Sequence, residues 1–381
     1  MKHEGVFTKS AKLIAVASVA LFLAACGGGG DGGSTASNGG STGSTGGTGG
    51  TGGTTTPAGT PIDPYTGQAA TGTPTASVSG SVVNGPTAGA TVTAYVVNSD
   101  GTNGTQLGAT TTDASGAFSM TLSQAPAGMV RFVATGGTFT SEADSSQQKN
   151  VALQLVAPYV TTSLSNFVIT PVTHLASTQI AYLASTGGKS LATAYTTASS
   201  AVLQLLTGNN VIASANRTHG GVDYLSIMPG TAQDTNHTYA DALTGVEYYG
   251  VAHDLPSHVA LRVLTLSSVT GRPSVNDSNG QAINVGTWTG STFDESQPYT
   301  LAQLSSTVGG GLPATDVLTL VQTMNAVTAC TTGDHASYYL RYPLAQGQSD
   351  YLDTAACGAY TNNLNAVKAK VATNNRSKFV S

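Results

Sequence analysis

Gly89-Ala90-Thr91-Val92-Thr93-Ala94-Tyr95 and Thr112-Asp113-Ala114-Ser115-Gly116-Ala117-Phe118 are the two stretches whose reading decides the fold. In the first, Ala90, Val92, Ala94 and, just beyond, Val96 alternate with other residues, the period-two pattern of a half-buried strand. In the second, Asp113 stands three residues before Gly116, in a turn where an aspartate side chain bonds backbone amides. Phe118, Met120 and Leu122 then resume the alternation. Working outward, Val78, Gly80 and Val82 lead into the turn Asn84-Gly85-Pro86. Asn98-Ser99-Asp100-Gly101 and Asn103-Gly104 are further turn signals. Strands are also expected over Val130 to Ala134 and Asn150 to Leu155. Short strands at this spacing predict a small antiparallel β-sandwich, as in immunoglobulin-like folds.

The same residues carry a resemblance. Gly80-Ser81-Val82, Pro86, Gly89 to Tyr95 and Thr112 to Phe118 are similar, in order and spacing, to the carboxypeptidase regulatory-like domain. That is a transthyretin-like sandwich of bacterial surface and periplasmic proteins. The resemblance spans residues 76–157 and implies a rigid spacer or binding platform rather than peptidase chemistry.

After Thr161 the period becomes helical. Thr170-Pro171 is a helix start, with threonine as cap and proline in the first turn. Val172, Leu175, Ala176, Ile180 and Leu183 form one apolar face. Leu191, Tyr195, Ala198, Val202, Leu205 and Leu206 form a second, closed by Gly208. Helices are also expected over Tyr239 to Val251, His258 to Leu266, Asp316 to Val327 and Tyr351 to Val371. Residues 158–381 therefore read as a mainly α-helical domain. Its opening, Ile169 to Ala176, resembles helical regions of uncharacterised bacterial lipoproteins, which implies no activity. Ala213 to Asp234 and Thr270 to Pro298 read as loop-rich.

Toward the other end, Lys2, Lys9 and Lys12 precede an apolar run from Leu13 to Leu23. At about eleven residues it is too short to span a bilayer, which takes about twenty, and it reads as a secretory signal. Leu23-Ala24-Ala25-Cys26 resembles the lipobox of bacterial lipoproteins. The resemblance implies cleavage after residue 25, lipidation of Cys26, and membrane attachment without a transmembrane helix. Gly27, in place of the aspartate associated with inner-membrane retention, favours the outer membrane. Residues 26–75 are dominated by Gly, Ser and Thr, with a few Pro and Ala, the composition of a disordered tether with a span on the order of 40 Å.

Only 9 % of the chain is charged, and its formal net charge is −5. Loss of Lys2, Lys9, Lys12 and Glu4 with the signal peptide removes a net +2 and leaves −7. Such a surface argues against nucleic acid, whose phosphates need clustered cations. Lys368, Lys370, Arg376 and Lys378 read as a solvated helix end. With Cys26 lipidated, Cys330 and Cys357 remain as an even pair in an oxidising compartment. A disulfide is expected between them, closing a loop worth about 3–4 kcal/mol, with two buried free thiols as the alternative. Neither has a second cysteine or histidine at metal-ligand spacing.

Chemistry is harder to find. His219, His237, His253 and His258 lie among Asp223, Asp234, Asp241, Glu247 and Asp254. Their spacing suits no metal motif, since His253 and His258 are separated by five positions and Pro256. His174, one turn into a helix, reads as a capping or interhelical hydrogen-bonding residue. Gly187-Gly188-Lys189-Ser190 lacks the first glycine of a phosphate loop, which falls on Leu183. Asn276 to Gly280 lacks the ends of a calcium loop, and no Gly-x-Ser-x-Gly elbow is present. Trp288, Phe293 and Tyr299 read as local core rather than a sugar platform. The expectation is a non-catalytic, membrane-anchored protein without cofactor or metal, whose sandwich presents a helical domain to an envelope protein or glycan. The alternatives are a hydrolase with its site within His219 to His258, and a surface adhesin.

Overall fold

The computed structural model describes residues 60–150, 152–207, 227–231, 234, 238–252, 255, 257–258, 260–261, 264–265, 287–289, 292–294, 313–342, 344 and 349–373. The chain divides into Met1–Thr54, outside those residues, and one compact unit, Thr55–Ser381. The signal, Cys26 and most of the tether therefore lie outside the described residues. So do Leu266 and Gly208, and the side chains of Leu205 and Leu206.

Nine strands precede the first helix: β1 (Ser77–Val82), β2 (Thr91–Val97), β3 (Asn103–Thr111), β4 (Ala117–Thr121), β5 (Val130–Thr135), β6 (Thr138–Thr140), β7 (Gln147–Lys149), β8 (Ala152–Ala157) and β9 (Asn166–Ile169). They form a four-stranded sheet in the order β3-β2-β5-β8, a three-stranded sheet β4-β1-β9 and a hairpin β6-β7. A two-stranded ladder pairs β10 (Thr287–Thr289) with β11 (Thr292–Asp294). The described helices are α1 (Pro171–Ser185), α2 (Leu191–Thr207), α3 (Thr238–Ala252), α4 (Pro313–Thr332), α5 (His335–Arg341) and α6 (Thr354–Thr373). The protein is thus mixed, with β-structure first and helices after it. Helix is also present at residues 257–258, 260–261 and 264–265.

The quoted motifs build their strands as their chemistry requires. Val92 and Ala94 are fully buried within β2. Asp113 Oδ1 accepts the amides of Ser115 (2.8 Å) and Ala117 (3.0 Å), and Gly116 takes φ +80°, a left-handed value that glycine adopts without strain. Thr112 is buried. Its hydroxyl donates to the Thr87 carbonyl (2.7 Å) and accepts the Ala90 amide (2.9 Å), which pins the start of β2. Phe118 is buried with Phe132, which in turn meets Phe167 at 5.0 Å between centroids.

Three features depart from the sequence expectations. First, the sheets are not wholly antiparallel: β1 pairs in parallel with β9, Gly80 facing Phe167. Second, β9 lies beyond residue 157, inside the stretch expected to be helical. One apolar cluster runs from Val78 through Ile169 and Leu175 to Val321, so no gap in packing falls at residue 157. The reason is local. The parallel β9 hands over at Thr170 directly to α1, which packs on β8 and α2. Third, residues 60–75, read as the end of the tether, are laid onto the fold. Ile62 bridges Ala69, Pro74 bridges Thr161, and Tyr65 packs edge-to-face on Tyr195 of α2 (5.6 Å). Tyr65 and Ala70 supply the apolar surface that Gly, Ser and Thr lack.

At α1 the cap and the proline match the sequence reading. Thr170 Oγ1 accepts the Thr173 amide (3.2 Å), Thr173 Oγ1 accepts the Thr170 amide (2.9 Å), and Pro171 occupies the first turn. Val172, Leu175, Ala176 and Ile180 are buried. The turn at Gly101 docks on Ala181, and Arg131 holds that turn through Gly101 O (2.9 Å) and Asn103 Oδ1 (2.7 Å). Gly187 to Ser190 is the α1–α2 turn, ending in Ser190 Oγ, which accepts the Thr193 amide (3.3 Å).

A Cβ on Gly80 would run into the carbonyl oxygen of Phe167 and lie 2.7 Å from Phe118 Cζ. Backbone cannot yield here without parting β1 from β9. Gly80→Ala is therefore expected to lower stability by about 3 kcal/mol, read as a shift of the urea midpoint at unchanged slope.

Candidate functional site

Of the histidine-rich segment, His219, Asp223, His237, His253 and Asp254 lie outside the described residues. The carboxylates that are described serve the fold. Asp234 is buried ahead of α3, where Oδ1 accepts the Tyr239 amide (2.8 Å) and Oδ2 those of Ala240 (2.9 Å) and Gly230 (3.0 Å). It thereby satisfies amides at a helix start that have no partner within the helix, and its charge suits the positive end of the helix dipole. Glu247, on the same helix, is buried at 3 % exposure. Its Oε2 accepts the hydroxyls of Ser141 (2.7 Å) and Ser257 (2.9 Å). Ser257 also reaches Gln148 Oε1 from its amide and its hydroxyl (both 3.4 Å). This buried knot ties the β6–β7 hairpin to α3. Glu142 strengthens the seam by accepting the Thr244 hydroxyl (3.0 Å). Asp241 sits in the first turn of α3 and His258 is half-buried beside Ser257. Among the described residues no group of three or more His, Cys, Asp or Glu side chains is placed to hold a metal ion.

His174 does not cap. The cap is made by Thr170 and Thr173, and His174 Nδ1 is sealed from solvent with no hydrogen-bond partner. Burial penalises the imidazolium and lowers its pKa from 6.5 to about 4. Trp288 and Phe293 occupy facing register positions of the β10–β11 ladder. Tyr299 and the stretch Asn276 to Gly280 lie outside the described residues, as do Arg376 and Lys378, whereas Lys368 is exposed on α6.

A second cluster, which the sequence reading passed over, surrounds the two later cysteines. Cys330, near the end of α4, and Cys357, in the first turn of α6, form a disulfide with Cα atoms 5.8 Å apart. The bridge closes a loop holding α5 and residues 349–353. Tyr338 is buried at its centre, with Tyr339, Tyr342, Tyr351 and Tyr360 around it. The ring hydroxyls are used to fix the rings. Tyr351 donates to Tyr338 (3.1 Å), Gln322 Nε2 donates to Tyr338 (3.2 Å), and the amides of Tyr351 (2.9 Å) and Leu352 (3.2 Å) donate to Tyr339. Desolvation raises the Tyr338 phenol well above its ordinary value.

Asp350 lies at the edge of this cluster. Oδ2 contacts His335 Nδ1 (2.7 Å), while Oδ1 accepts the Tyr339 hydroxyl and the Leu352 amide (2.9 Å). The His335 hydrogen bond, then those from Tyr339 and Leu352, hold the exposed carboxyl down at about 2. The carboxylate is therefore ionised and can only accept, so His335 donates to it through Nδ1–H. A signal for this cluster was present in the sequence. Tyr338, Tyr339, Tyr342, Tyr351 and Tyr360, a third of the chain's fifteen tyrosines, are gathered within the cysteine loop or just past it.

No family model, curated protein or solved structure matches this chain.

Asp234→Ala leaves the α3 amides without their acceptor and is expected to cost about 1–2 kcal/mol in chemical denaturation. For His174 the folded pKa is depressed, so the unfolded chain binds the extra proton between about 4 and 6.5. Stability is complete above pH 6.5, falls on acidification by up to about 1.4 kcal/mol per pH unit, and levels off below pH 4. His174→Leu should flatten that limb in a pH series of thermal melts.

Proposed function

We propose that this chain is a lipid-anchored envelope protein without catalytic activity, attached to the outer membrane. A transthyretin-like sandwich of the carboxypeptidase regulatory-like kind serves as its spacer, and the helical part is the portion it offers for binding. The observation that carries the reading is Leu23-Ala24-Ala25-Cys26 behind a basic and apolar start, followed by a segment of Gly, Ser and Thr. Two acyl chains or more on one cysteine hold a protein to a bilayer, since each buried methylene is worth about 0.8 kcal/mol.

Further support comes from how the carboxylates are used. In the segment where a hydrolase would have its acid and base, Asp234 is occupied by three backbone amides and Glu247 by two serine hydroxyls. A catalytic carboxylate must instead reach a substrate atom or a water. The β-strand order and the Asp113 turn are compatible with the residues on which the sandwich resemblance rests. The body packs as one unit from Thr55, so spacer and presented helices would move together.

In cells fed labelled palmitate, the wild-type chain should incorporate label and sediment with outer-membrane fractions. Cys26→Ala should lose the label and leave the membrane fraction. Label persisting in the variant, or a wild-type chain found in the soluble fraction, overturns the anchor. Protease treatment of intact cells, with an epitope appended after Ser381, separates a surface adhesin, whose epitope is lost, from a periplasmic scaffold, whose epitope survives.

A further inference from the structure

We propose that the tyrosine cluster closed by the Cys330–Cys357 disulfide is a binding site for a neutral oligosaccharide, with a pyranose ring stacked on Tyr351 and its hydroxyls bonded to Asp350 and His335. The proposal deepens the binding role argued above and rests on it.

Exposure singles out the place. Among the described residues the large apolar or aromatic side chains left exposed are Ile62 and Tyr351, the latter at 36 %. Tyr351 is also the residue next to Asp350, whose side chain is 52 % exposed, and His335 stands across that carboxylate at 29 %. A partly exposed tyrosine, a carboxylate and an imidazole therefore adjoin one another at the surface. The flat C–H face of a pyranose packs on an aromatic ring while its equatorial hydroxyls point sideways to polar groups at the ring's edge. A phenol ring offers this apolar body with little conformational freedom to lose.

The polar groups have the sign a sugar needs. Asp350 presents about four lone-pair positions and uses three, for His335, Tyr339 and Leu352. One position on Oδ2 remains, and Nε2 of His335 is a second polar atom at the patch. A sugar hydroxyl donates to the first and can donate to or accept from the second. An anion would meet the carboxylate. A quaternary ammonium would need ring faces arranged around an open centre. Here Tyr338, Tyr339 and Tyr351 meet edge-to-face at 5.3, 6.1 and 5.3 Å, so the rings close on one another and form a wall, not a cage.

The wall is also fixed before any ligand arrives. Tyr351 is held through its hydroxyl on Tyr338 and its amide on Tyr339. The disulfide anchors the segment between α4 and α6. A shallow platform gains little area, so a low ordering cost is what allows it to bind at all.

The test uses the full chain in detergent micelles, with ring-labelled tyrosine, titrated with maltohexaose, cellohexaose, laminarihexaose and chitohexaose by NMR. At least one hexaose should shift the Tyr351 and Tyr339 ring signals, assigned with Tyr351→Phe, and leave Tyr65 and Tyr195 unmoved. Its affinity should be on the order of 1 mM. Tyr351→Ala removes the stacking ring and should lose about tenfold or more. Shifts by none of the four sugars, shifts confined to other tyrosines, or full binding by a folded Tyr351→Ala overturn the site. So does stronger competition by tetramethylammonium or inorganic phosphate than by sugar. Palmitate labelling reads the anchor separately, so either proposal can fail without the other.

Discussion

Gly80 has no side chain, and the carbonyl of Phe167 occupies the space one would fill. That close approach is what lets β9 lie in parallel beside β1. A parallel neighbour cannot be reached by a tight hairpin; it needs a long crossover, and here the chain supplies it with β2 through β8. Once β9 is placed, Ile169 is buried, Thr170 and Pro171 follow at once, and α1 has only one direction in which to run. The helices are therefore not a separate body joined by a linker. Their first turn is a continuation of the sheet, and their apolar faces extend its core.

A chain with 9 % charged residues must make its long-range polar contacts from hydroxyls and amides. Thr170 Oγ1 meets Tyr239 Oη at 2.6 Å and Thr173 Oγ1 donates to the Gln154 carbonyl at 2.8 Å, joining α1 to α3 and to β8. Ser141, Ser257 and Gln148 gather around Glu247 in the same manner. A hydroxyl can accept one bond and donate another in a small volume, and it avoids the several kcal/mol that burying an ion costs. Buried charges are handled with neutral partners too. Arg131 is held by a backbone carbonyl and an asparagine side chain, and Asp234 by three backbone amides.

Local signals in the sequence were strong and long-range ones weak. Alternation at Val92 and Ala94, the Asp113 turn, the Thr170 cap and the apolar face of α1 each depend on residues within a turn or two of one another. The parallel partner of β1 depends on a contact across nearly ninety positions, between Gly80 and Phe167, and nothing within either short strand announces it. Residues 60–75 misled for a different reason. They follow a Gly-, Ser- and Thr-rich stretch without a break, yet Tyr65 and Ala70 join the core and Pro74 bridges Thr161. The candidate site divides in the same way. His219 to His258 drew notice because titratable residues are rare in this chain, although Asp234 and Glu247 serve structure. The tyrosine cluster escaped because tyrosines at 338, 339, 351 and 360 converge only through the cysteine loop.

That loop also explains why α6 is where it is. Among its described side chains α6 has a single well-buried one, Leu364, and the helix runs largely exposed. A helix so poorly supplied with apolar surface gains little from packing, and helix propensity alone rarely holds one. Two devices compensate at its start. Asp353 Oδ1 accepts the Ala356 amide (2.8 Å), and the Cys330–Cys357 bridge fastens its first turn to α4. A covalent tie limits the unfolded chain instead of demanding a buried face from the folded one. The surface beside the bridge is thereby freed from serving as core, which is the condition under which Tyr351 and Asp350 can stand in solvent yet remain fixed.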